Sequence, residues 1–173
     1  MHCALYFGSF NPLHIGHVSI ARHVLQMEGI DCFRFILSPH NPMKSQDTLM
    51  DAQTRLGALK TAVSQLNDNR FEVSNVEFHL PKPLYTYNTL VYIAQQEPQN
   101  KFTIIIGADN LAILEKWYNW QAILTEFDVW VYPRKGYDAH ALCKKYGTTC
   151  IDAPQIDISS TEIRTKGLDN YKF

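Results

Sequence analysis

The sequence has almost no excess of charge of either sign, with 16 basic and 17 acidic side chains in 173 residues and a net charge of -1. Binding along a nucleic acid depends on many phosphate contacts, so this balance excludes a broad basic face, although a small basic site is compatible with it. The chain also lacks a hydrophobic run of membrane-spanning length, internal repeats and low-complexity linkers. We therefore expect one domain over residues 1–173, with no nucleic-acid or membrane partner.

Cysteine is scarce, and no two cysteines have the CxxC spacing of a metal or redox motif. The four are Cys3, Cys32, Cys143 and Cys150. A chain of this length buries enough surface to fold without disulfides, so we expect free, buried thiols and no metal site, with a disulfide as the alternative to free thiols. The apolar run at the N-terminus is too short for a signal peptide, and the expected location is therefore the cytoplasm.

Short apolar runs alternate with longer amphipathic segments along the chain. Strands are predicted at Cys3–Phe7, Phe33–Leu37, Phe71–Phe78, Phe102–Ile106, Asp128–Tyr132 and Thr148–Ile151. Helices are predicted at Ile15–Met27, Asp51–Leu66, from Thr86 to Gln96, within Leu111–Trp117 and Gln121–Thr125, at His140–Tyr146 and from Ser160 onward. This alternation predicts the doubly wound α/β class, a parallel sheet with helices on both faces and ligands bound beyond the carboxyl ends of the strands.

Two glycines and two histidines follow the first predicted strand, within the segment Gly8–His17. Gly16 opens the next helix, where unpaired N–H groups and the helix dipole favour an anion. His14 and His17 are three residues apart, so they project from one side of a helical turn and can donate to phosphate oxygens. The alternatives are a turn with incidental histidines or a metal pair, although metal pairs on helices more often have i,i+4 spacing beside a carboxylate.

A second candidate anion site begins the last predicted helix, within Ser159–Arg164. Ser159 followed three residues later by Glu162 is a capping box, which fixes the start of a helix. Arg164 adds a cation at the same end of that helix, and a cation beside hydroxyl groups is suited to phosphate oxygens. The alternative is a well-capped surface helix that binds nothing.

The His-Ile-Gly-His end of Gly8–His17 resembles the signature of the nucleotidyltransferase superfamily, which includes class I aminoacyl-tRNA synthetases. A synthetase needs a downstream lysine-rich loop and a tRNA-binding region, for which 173 residues leave little room. The complete segment is similar to the GGTFDPxHxGH motif of nicotinate-nucleotide adenylyltransferases, from which Ser9 and Asn11 depart. Ile158–Arg164 resembles the ISSTxIR motif of the same family. The resemblance implies a Rossmann-like fold of the adenylyltransferase type.

Two further segments resemble loops of this family. Ser38–Lys44 looks like its proline-rich loop, which ends in a basic residue over the phosphates, here Lys44. Leu84–Leu90 resembles the SYTxDTL segment, with Asn88 in place of the aspartate. We expect Thr86 to cap the following helix, so that the next backbone amides receive the carboxylate of a nicotinate ring.

The segment after the fourth predicted strand, Ile106–Asn110, resembles the family's IGADN element, which contacts adenosine through Gly107 and Asp109. Trp117 corresponds to the first tryptophan of a W-x-x-W stretch, which stacks on the pyridine ring. Arg134 occupies the place of an arginine near the nucleotide. Core packing of Trp117 and helix capping by Asp109 are the structural alternatives.

The resemblance thus implies a complete set of site residues. Catalytic roles fall to His14, His17, Lys44 and Arg164. ATP-binding roles fall to Gly8, Ser9, Phe10, Gly16, Gly107, Asp109, Arg134, Ser159, Ser160 and Thr161, and binding of the nicotinate nucleotide falls to Thr86, Tyr87 and Trp117.

The implied reaction transfers AMP from ATP to nicotinate mononucleotide, with Mg²⁺ arriving on the ATP phosphates. The alternatives are a phosphopantetheine adenylyltransferase of the same fold and a non-catalytic nucleotide-binding regulator, which would be expected to lack a histidine or Arg164. The sequence does not decide whether the acid or the amide of the pyridine nucleotide is preferred, or whether the chain forms a homo-oligomer. It also does not decide whether the segment after Ile158–Arg164 is naturally short or lacks residues.

Overall fold

The computed structural model describes residues 1–40, 50–156 and 159–166. Its strands are β1 (His2–Gly8), β2 (Cys32–Leu37), β3 (Phe71–Ser74), β4 (Lys101–Gly107), β5 (Asp128–Tyr132) and β6 (Thr149–Cys150). Its helices are α1 (Ile15–Leu25), α2 (Ala52–Ser64), α3 (Thr86–Gln96), α4 (Ala108–Ala112), α5 (Trp120–Glu126), α6 (Ala139–Tyr146) and α7 (Ser160–Lys166), with 3-10 turns at Val76–His79 and Leu114–Lys116. Over the described ranges, no helix is both long and apolar enough to cross a membrane.

The six strands form one sheet in the order β3-β2-β1-β4-β5-β6, and every neighbouring pair is parallel. β1 lies between β2 and β4, so the strand order reverses on either side of it. In such sheets the crevice beyond the carboxyl ends at the reversal is the usual ligand site. Gly8 ends β1 and Gly107 ends β4, so these two residues mark the place where a ligand is expected.

The helices cover both faces of the sheet, each over its own apolar core. One core joins α1 and α2 to the sheet, and its members include Val18, Val24, Leu59, Phe33 and Phe35. The other joins helices α3 to α6 to the opposite face, with members that include Leu90, Leu111, Ile123, Leu5 and Ile104. Central strands buried on both faces read as unbroken apolar runs. The predicted doubly wound fold is confirmed.

The strand predicted at Phe71–Phe78 is too long. It ends at Ser74, and Val76–His79 forms a 3-10 turn instead of continuing the strand. This turn buries the side chain of Glu77, which is 2% exposed. Alternation of apolar and polar residues does not distinguish a strand from a short strand followed by such a turn.

Two helix starts also differ from the predictions. Thr86 is the first residue of α3 and not its cap, because the N-cap is Tyr85 and no side chain caps this helix. Within the range Leu111–Trp117, where a helix was expected, the structure has a 3-10 turn at Leu114–Lys116, and the preceding helix α4 begins earlier, at Ala108, with Gly107 as its N-cap.

Cys3 and Cys32 correct the expectation that all cysteines are free thiols. They are register partners on β1 and β2, with Cα atoms 4.8 Å apart, and the structure joins their sulfurs in a disulfide. That Cα separation lies within the range that disulfides span. The pairing follows from strand register, which the spacing of cysteines along the chain does not reveal. Cys143 is free and buried, as expected, and Cys150 is free but only half-buried.

Arg34 ties β2 to β3 and to the end of α3. Its Nε donates to Glu72 Oε2 at 2.7 Å, and its two Nη atoms donate to the Glu97 carboxylate at 2.7 and 3.3 Å. The Arg34 side chain is only 13% exposed. A bidentate pair with little solvent around it holds its geometry more strongly than an exposed pair. The carboxyl end of α3 is therefore fixed to the sheet on the side away from Gly8.

Replacing Arg34 with methionine should lower the free energy of unfolding by about 2 kcal/mol, because a largely buried cation loses its charge-assisted bonds to two carboxylates that are 37% and 29% exposed. The control is Lys101→Met, which breaks the Lys101–Asp128 pair, whose side chains are 64% and 50% exposed. That change should cost less than about 1 kcal/mol. Urea unfolding of both variants gives the comparison, and equal losses would contradict the assignment.

Candidate active site

The loop after β1 delivers both histidines to the start of α1. His14 is the N-cap of this helix, and its Nδ1 accepts a hydrogen bond from the Gly16 N–H at 3.1 Å. The Nδ1 atom of His17 accepts from the His14 N–H at 3.2 Å. Each imidazole thus satisfies a backbone donor that the first turn leaves unpaired. The result is a capping box built from two histidines instead of a hydroxyl and a carboxylate.

These two bonds determine which ring nitrogen carries the proton. Because the Nδ1 atoms of His14 and His17 both accept from an N–H, each ring keeps its proton on Nε2. Burial, and then the positive charge of Arg134, lower the pKa of His14 to about 4. The His14 ring is therefore neutral at pH 7. Each histidine offers an Nε2–H group as a hydrogen-bond donor.

The ring of His17 is held by its neighbours. It stacks on His14 with ring centroids 3.7 Å apart and an interplanar angle of 25°, and Phe10 meets it edge-on at 5.3 Å. Phe10 has a positive φ of 42°, a backbone conformation that non-glycine residues seldom adopt and that often accompanies a ligand site. A Cβ at Gly16 would lie 2.9 Å from the His14 ring, so the stacked pair requires glycine there.

Helix α7 is bonded to the same loop. The predicted capping box is present, because Glu162 Oε2 accepts from the Ser159 N–H at 2.9 Å and Ser159 Oγ accepts from the Glu162 N–H at 3.2 Å. Ser160 Oγ donates to the Pro12 carbonyl at 3.0 Å, and the guanidinium of Arg164 donates to the Asn11 carbonyl. Two segments about 150 residues apart in sequence, as their residue numbers show, are therefore parts of one site.

The third part of the site lies beyond β4 and β5. Arg134 Nε lies 3.7 Å from Asp109 Oδ1, in an ion pair whose side chains are 45% and 36% exposed. A Cβ at Gly107 would collide with the Asp109 carboxylate and lie 3.1 Å from both Arg134 and Tyr132. Only glycine lets these three side chains come together at the end of β4. Asp109 Oδ1 accepts no hydrogen bond within the described part of the chain.

A cavity of about 1060 Å³ lies between these three parts. It is located beyond the carboxyl ends of β1 and β4, at the reversal of strand order. The sequence-predicted residues that line it are Gly8, Ser9, Phe10, His14, Gly16, His17, Asp109, Trp117, Arg134, Ser159, Ser160, Thr161 and Arg164. This volume is at the upper end of the usual range for small-molecule sites.

The structure does not bring every predicted residue to this cavity. Gly107 lies behind Asp109 and is not part of the lining. Thr86 and Tyr87 are also absent from the lining, and the Tyr87 hydroxyl donates to Glu126 at 3.3 Å. Lys44 lies outside the described residues.

Two tyrosines at the floor of the cavity were missed by the sequence reasoning. Tyr6 on β1 and Tyr132 on β5 bring their hydroxyls to 3.1 Å, and both side chains line the cavity. Burial raises the pKa of both phenols, so they stay neutral at pH 7. The residues are 126 positions apart, and inside an apolar strand a tyrosine gives no signal that distinguishes it from core packing.

The cavity offers cations and donors but few metal ligands. Asp109 and Glu162 are the only carboxylates among the described lining residues. Asp109 forms an ion pair with Arg134, and Glu162 accepts a hydrogen bond from Ser159. The described residues hold one cluster with metal-ligating atoms, Cys3, Cys32 and Glu72, and none of these lines the cavity. A divalent ion fits this site when it is carried by a polyphosphate and keeps water ligands.

Comparison with known sequences finds relatives in the family that the sequence motifs resemble. The cytidylyltransferase-like family model matches residues 5–166. A Flavobacterium psychrophilum protein named "probable nicotinate-nucleotide adenylyltransferase" is 40% identical over 166 residues, which cover 95% of this chain and 85% of that protein. A Bacteroides fragilis protein of the same name is 39% identical over 160 residues, which cover 92% and 79% of the two chains.

Solved structures share the fold. A Plasmodium falciparum nicotinic acid mononucleotide adenylyltransferase in complex with NaAD superposes with a TM-score of 0.79 at 19% identity, over 95% of this chain and 82% of that chain. The same enzyme in complex with APC gives a TM-score of 0.76. At this level of identity, the likeness shows the architecture alone.

The buried His14 predicts a specific pH dependence of stability. Its folded pKa of about 4 lies below its ordinary value of 6.5, so between these values the unfolded chain binds more protons and stability falls as the pH falls. Between pH 7 and pH 5 the wild type should lose roughly 2 kcal/mol more than the His14→Asn variant, in which asparagine keeps an N-cap acceptor. Urea unfolding at both pH values measures this difference, and identical pH dependence of the two proteins would refute it.

Proposed function

The chain belongs to the cytidylyltransferase-like family and, within it, to the nicotinate-nucleotide adenylyltransferases, and we propose that the cavity at the end of β1 is the site of its reaction. The enzyme transfers AMP from ATP to nicotinate mononucleotide, and the products are nicotinate adenine dinucleotide and pyrophosphate. This is a step in the biosynthesis of NAD.

The observation that carries the proposed site is the joining of two anion-binding segments in one cavity. The paired histidines at the start of α1 and Arg164 on α7 are held together by the bonds from Ser160 and Arg164 to the carbonyls of Pro12 and Asn11. Each segment alone is compatible with a capped surface helix. Together they surround a space large enough for a nucleotide with donors from several directions.

The chemistry needs no nucleophile from the protein. An oxygen of the 5′-phosphate of nicotinate mononucleotide forms a bond to the α-phosphorus of ATP, and the bond from that phosphorus to the bridging oxygen of the β-phosphate breaks. The electron pair leaves with pyrophosphate. Catalysis then consists of aligning the two phosphates and stabilising the charge of the leaving group.

The histidines suit this task because they are fixed donors. The Nε2–H groups of His14 and His17 donate to oxygens of the triphosphate while their Nδ1 atoms stay bonded to the backbone. A neutral His14 binds an oxygen by its dipole, and the positive charge among the described lining residues comes from Arg134, Lys135 and Arg164. Preorganised donors of this kind need no reorientation when charge develops on the pyrophosphate.

Arg164 supplies such a charge on the side of α7. It donates one N–H to the Asn11 carbonyl and one to Thr161 Oγ1, and a guanidinium has five N–H donors in all. The remaining donors can bind the β- and γ-phosphates, whereas the hydroxyls of Ser159 and Ser160 already donate to Glu162 and to the Pro12 carbonyl. Arg134 and Asp109 lie on the opposite side, where we place the adenosine.

The divalent ion of the reaction is Mg²⁺ in this proposal. Adenylyl transfer from ATP generally uses a divalent metal, and the scarcity of free carboxylates in the lining favours an ion that binds through phosphate oxygens and water. When bound, the ion supplies neutralising charge on the pyrophosphate. The chain's own part is to hold the phosphates in place through the histidines and Arg164.

We place the pyridine nucleotide between Trp117, which lines the cavity, and the start of α3. The N-cap of α3, Tyr85, provides no side-chain acceptor, so the first amides of this helix have no capping side chain. Unpaired amides at a helix start favour a carboxylate over a neutral carboxamide. The geometry therefore supports nicotinate mononucleotide over nicotinamide mononucleotide.

Replacing His17 with alanine should lower kcat by several hundredfold or more, the scale of losing one key charge-stabilising donor. The control is His140→Ala, which changes an exposed histidine at the second position of α6, outside the cavity lining. Its turnover should stay at the wild-type value. Steady-state release of pyrophosphate measures both variants, and near-normal turnover of His17→Ala would remove the proposed role.

The substrate itself is tested by incubating the protein with ATP, Mg²⁺ and one acceptor at a time. We expect rapid pyrophosphate release with nicotinate mononucleotide and a severalfold lower kcat/KM with nicotinamide mononucleotide, since amides at a helix start favour a carboxylate over a neutral carboxamide.

Each alternative predicts a different result in the same assay. Release with phosphopantetheine alone would identify a phosphopantetheine adenylyltransferase. No release with any acceptor, together with tight ATP binding, would identify a regulator and would overturn the proposal.

A further inference from the structure

A buried arginine lies beneath the loops of the active site. Arg55 on α2 is 1% exposed. Its guanidinium donates to four backbone carbonyls, those of Ser9 at 2.8 Å, Ser38 at 3.1 Å, Pro39 at 3.0 Å and Met50 at 2.9 Å. These carbonyls belong to the loops that follow β1 and β2 and to Met50, which precedes the N-cap of α2. Arg55 thus fixes three chain segments to one planar group.

A buried carboxylate lies on the far side of the same loop. Glu77 is 2% exposed, and burial raises the pKa of its carboxyl while bonds from Ser38 and Thr89 oppose that rise. Its Oε1 accepts from Thr89 Oγ1 at 2.9 Å, and its Oε2 accepts from Ser38 Oγ. Thr89 is fully buried in α3. Glu77 therefore connects the loop after β2 to the helix at which we place the pyridine nucleotide.

Ser38 joins the two buried charges. Its carbonyl accepts from Arg55, its hydroxyl donates to Glu77, and its N–H donates to the Gly8 carbonyl at 2.9 Å. A continuous chain of hydrogen bonds, which we call the Ser38 junction, therefore runs from Ser9 through Arg55, Ser38 and Glu77 to Thr89. At one end it holds the backbone of a residue that lines the cavity, and at the other it holds α3.

We propose that Ser38, Arg55 and Glu77 are positioning residues that set the distance between the ATP phosphates and the attacking phosphate of the second substrate. The inference rests on the proposed function, because it requires the triphosphate at the loop after β1 and the pyridine nucleotide at α3. None of the three lines the cavity. They act through Ser9 and the backbone of α3, and an in-line attack is sensitive to small errors in this spacing.

The substitution that removes the fewest hydrogen bonds of the Ser38 junction is Ser38→Ala. It removes the bond from the Ser38 hydroxyl to Glu77 and leaves the bond from Arg55 to the Ser38 carbonyl in place. We expect kcat to fall by about tenfold or more while the KM values for ATP and nicotinate mononucleotide change by less than about threefold. Each substrate still binds to its own segment, and only their relative placement is lost.

Two substitutions of Glu77 separate the loss of its hydrogen bonds from the loss of its negative charge. Glu77→Met removes both acceptors and should lower kcat by about the same factor as Ser38→Ala. Glu77→Gln should restore kcat to within about threefold of the wild type, because its carbonyl can accept from Ser38 while its amide donates to Thr89 Oγ1. Since Ser38→Ala and Glu77→Met break one common bond, the double variant should be little slower than the slower single variant.

The control for a purely structural effect is Leu59→Ala. Leu59 lies one helical turn after Arg55 on α2 and is 1% exposed, so the change destabilises the same helix without removing a loop hydrogen bond. Measured at a temperature where circular dichroism shows all variants folded, Leu59→Ala should keep the wild-type kcat. Wild-type kcat in folded Ser38→Ala and Glu77→Met, or an equal loss in Leu59→Ala, would overturn the inference.

A second readout is independent of turnover. Binding of an α,β-methylene analogue of ATP should slow amide hydrogen exchange in α3 of the wild type and not in Ser38→Ala. If the wild type released no pyrophosphate with nicotinate mononucleotide, the proposed function would fail, and with it the role of the junction in spacing two substrates. The exchange experiment would then still decide whether the Ser38 junction couples the loop after β1 to α3. Slowing of α3 exchange to the same extent in both proteins, or in neither, would refute it.

Discussion

The position of β1 between β2 and β4 is the constraint from which the site follows. Because β1 hydrogen-bonds to both neighbours in parallel register, its carboxyl end cannot shift without breaking two ladders. The loop that follows must leave the sheet at the one place where the helices on either side diverge. β1 ends there at Gly8 and β4 ends there at Gly107, and the cavity opens between these two strand ends. The anion-binding loop, the arginine beyond β5 and the start of α7 all face it because the topology leaves no other crevice of this kind.

The start of α1 shows why histidine is found where helices more often have serine or aspartate. An aspartate cap would satisfy the Gly16 N–H equally well, but its charge would repel a triphosphate. A serine cap would bond to the helix and leave no rigid donor on the other side. An imidazole accepts through Nδ1 and donates through Nε2, so His14 and His17 cap the helix and face the ligand at the same time. The stacking of the two rings and the edge contact with Phe10 fix their planes.

The features that were predicted best from the sequence are those encoded by a few neighbouring residues. The capping box of α7, the alternation of strands and helices and the glycines at the strand ends are of this kind, and the structure confirms them. The Tyr6–Tyr132 contact, the Cys3–Cys32 bond and the Ser38 junction depend on which strands become neighbours. One signal in the sequence was overlooked at Arg55. This residue lies four positions before Leu59 on the apolar stripe of a predicted helix, and an arginine at a buried position needs hydrogen-bond acceptors around it. Glu77 gave none, because the strand pattern at Phe71–Phe78 concealed the turn that buries it.

The two buried charges of the Ser38 junction also differ from the ion pair of Arg34. Within the described residues, no salt bridge joins Arg55 or Glu77 to an opposite charge. Arg55 is surrounded by carbonyl dipoles, and Glu77 by hydroxyls, so each charge is compensated by groups whose directions are fixed by the backbone. A direct Arg55–Glu77 pair would have satisfied both charges and released the loops. Desolvation makes such charges costly wherever they lack partners, so every bond to a loop carbonyl or hydroxyl resists displacement. The fixed directions of these dipoles and hydroxyls, and not an opposite charge, therefore hold Arg55 and Glu77 in place, which suits residues that set the distance between two substrates.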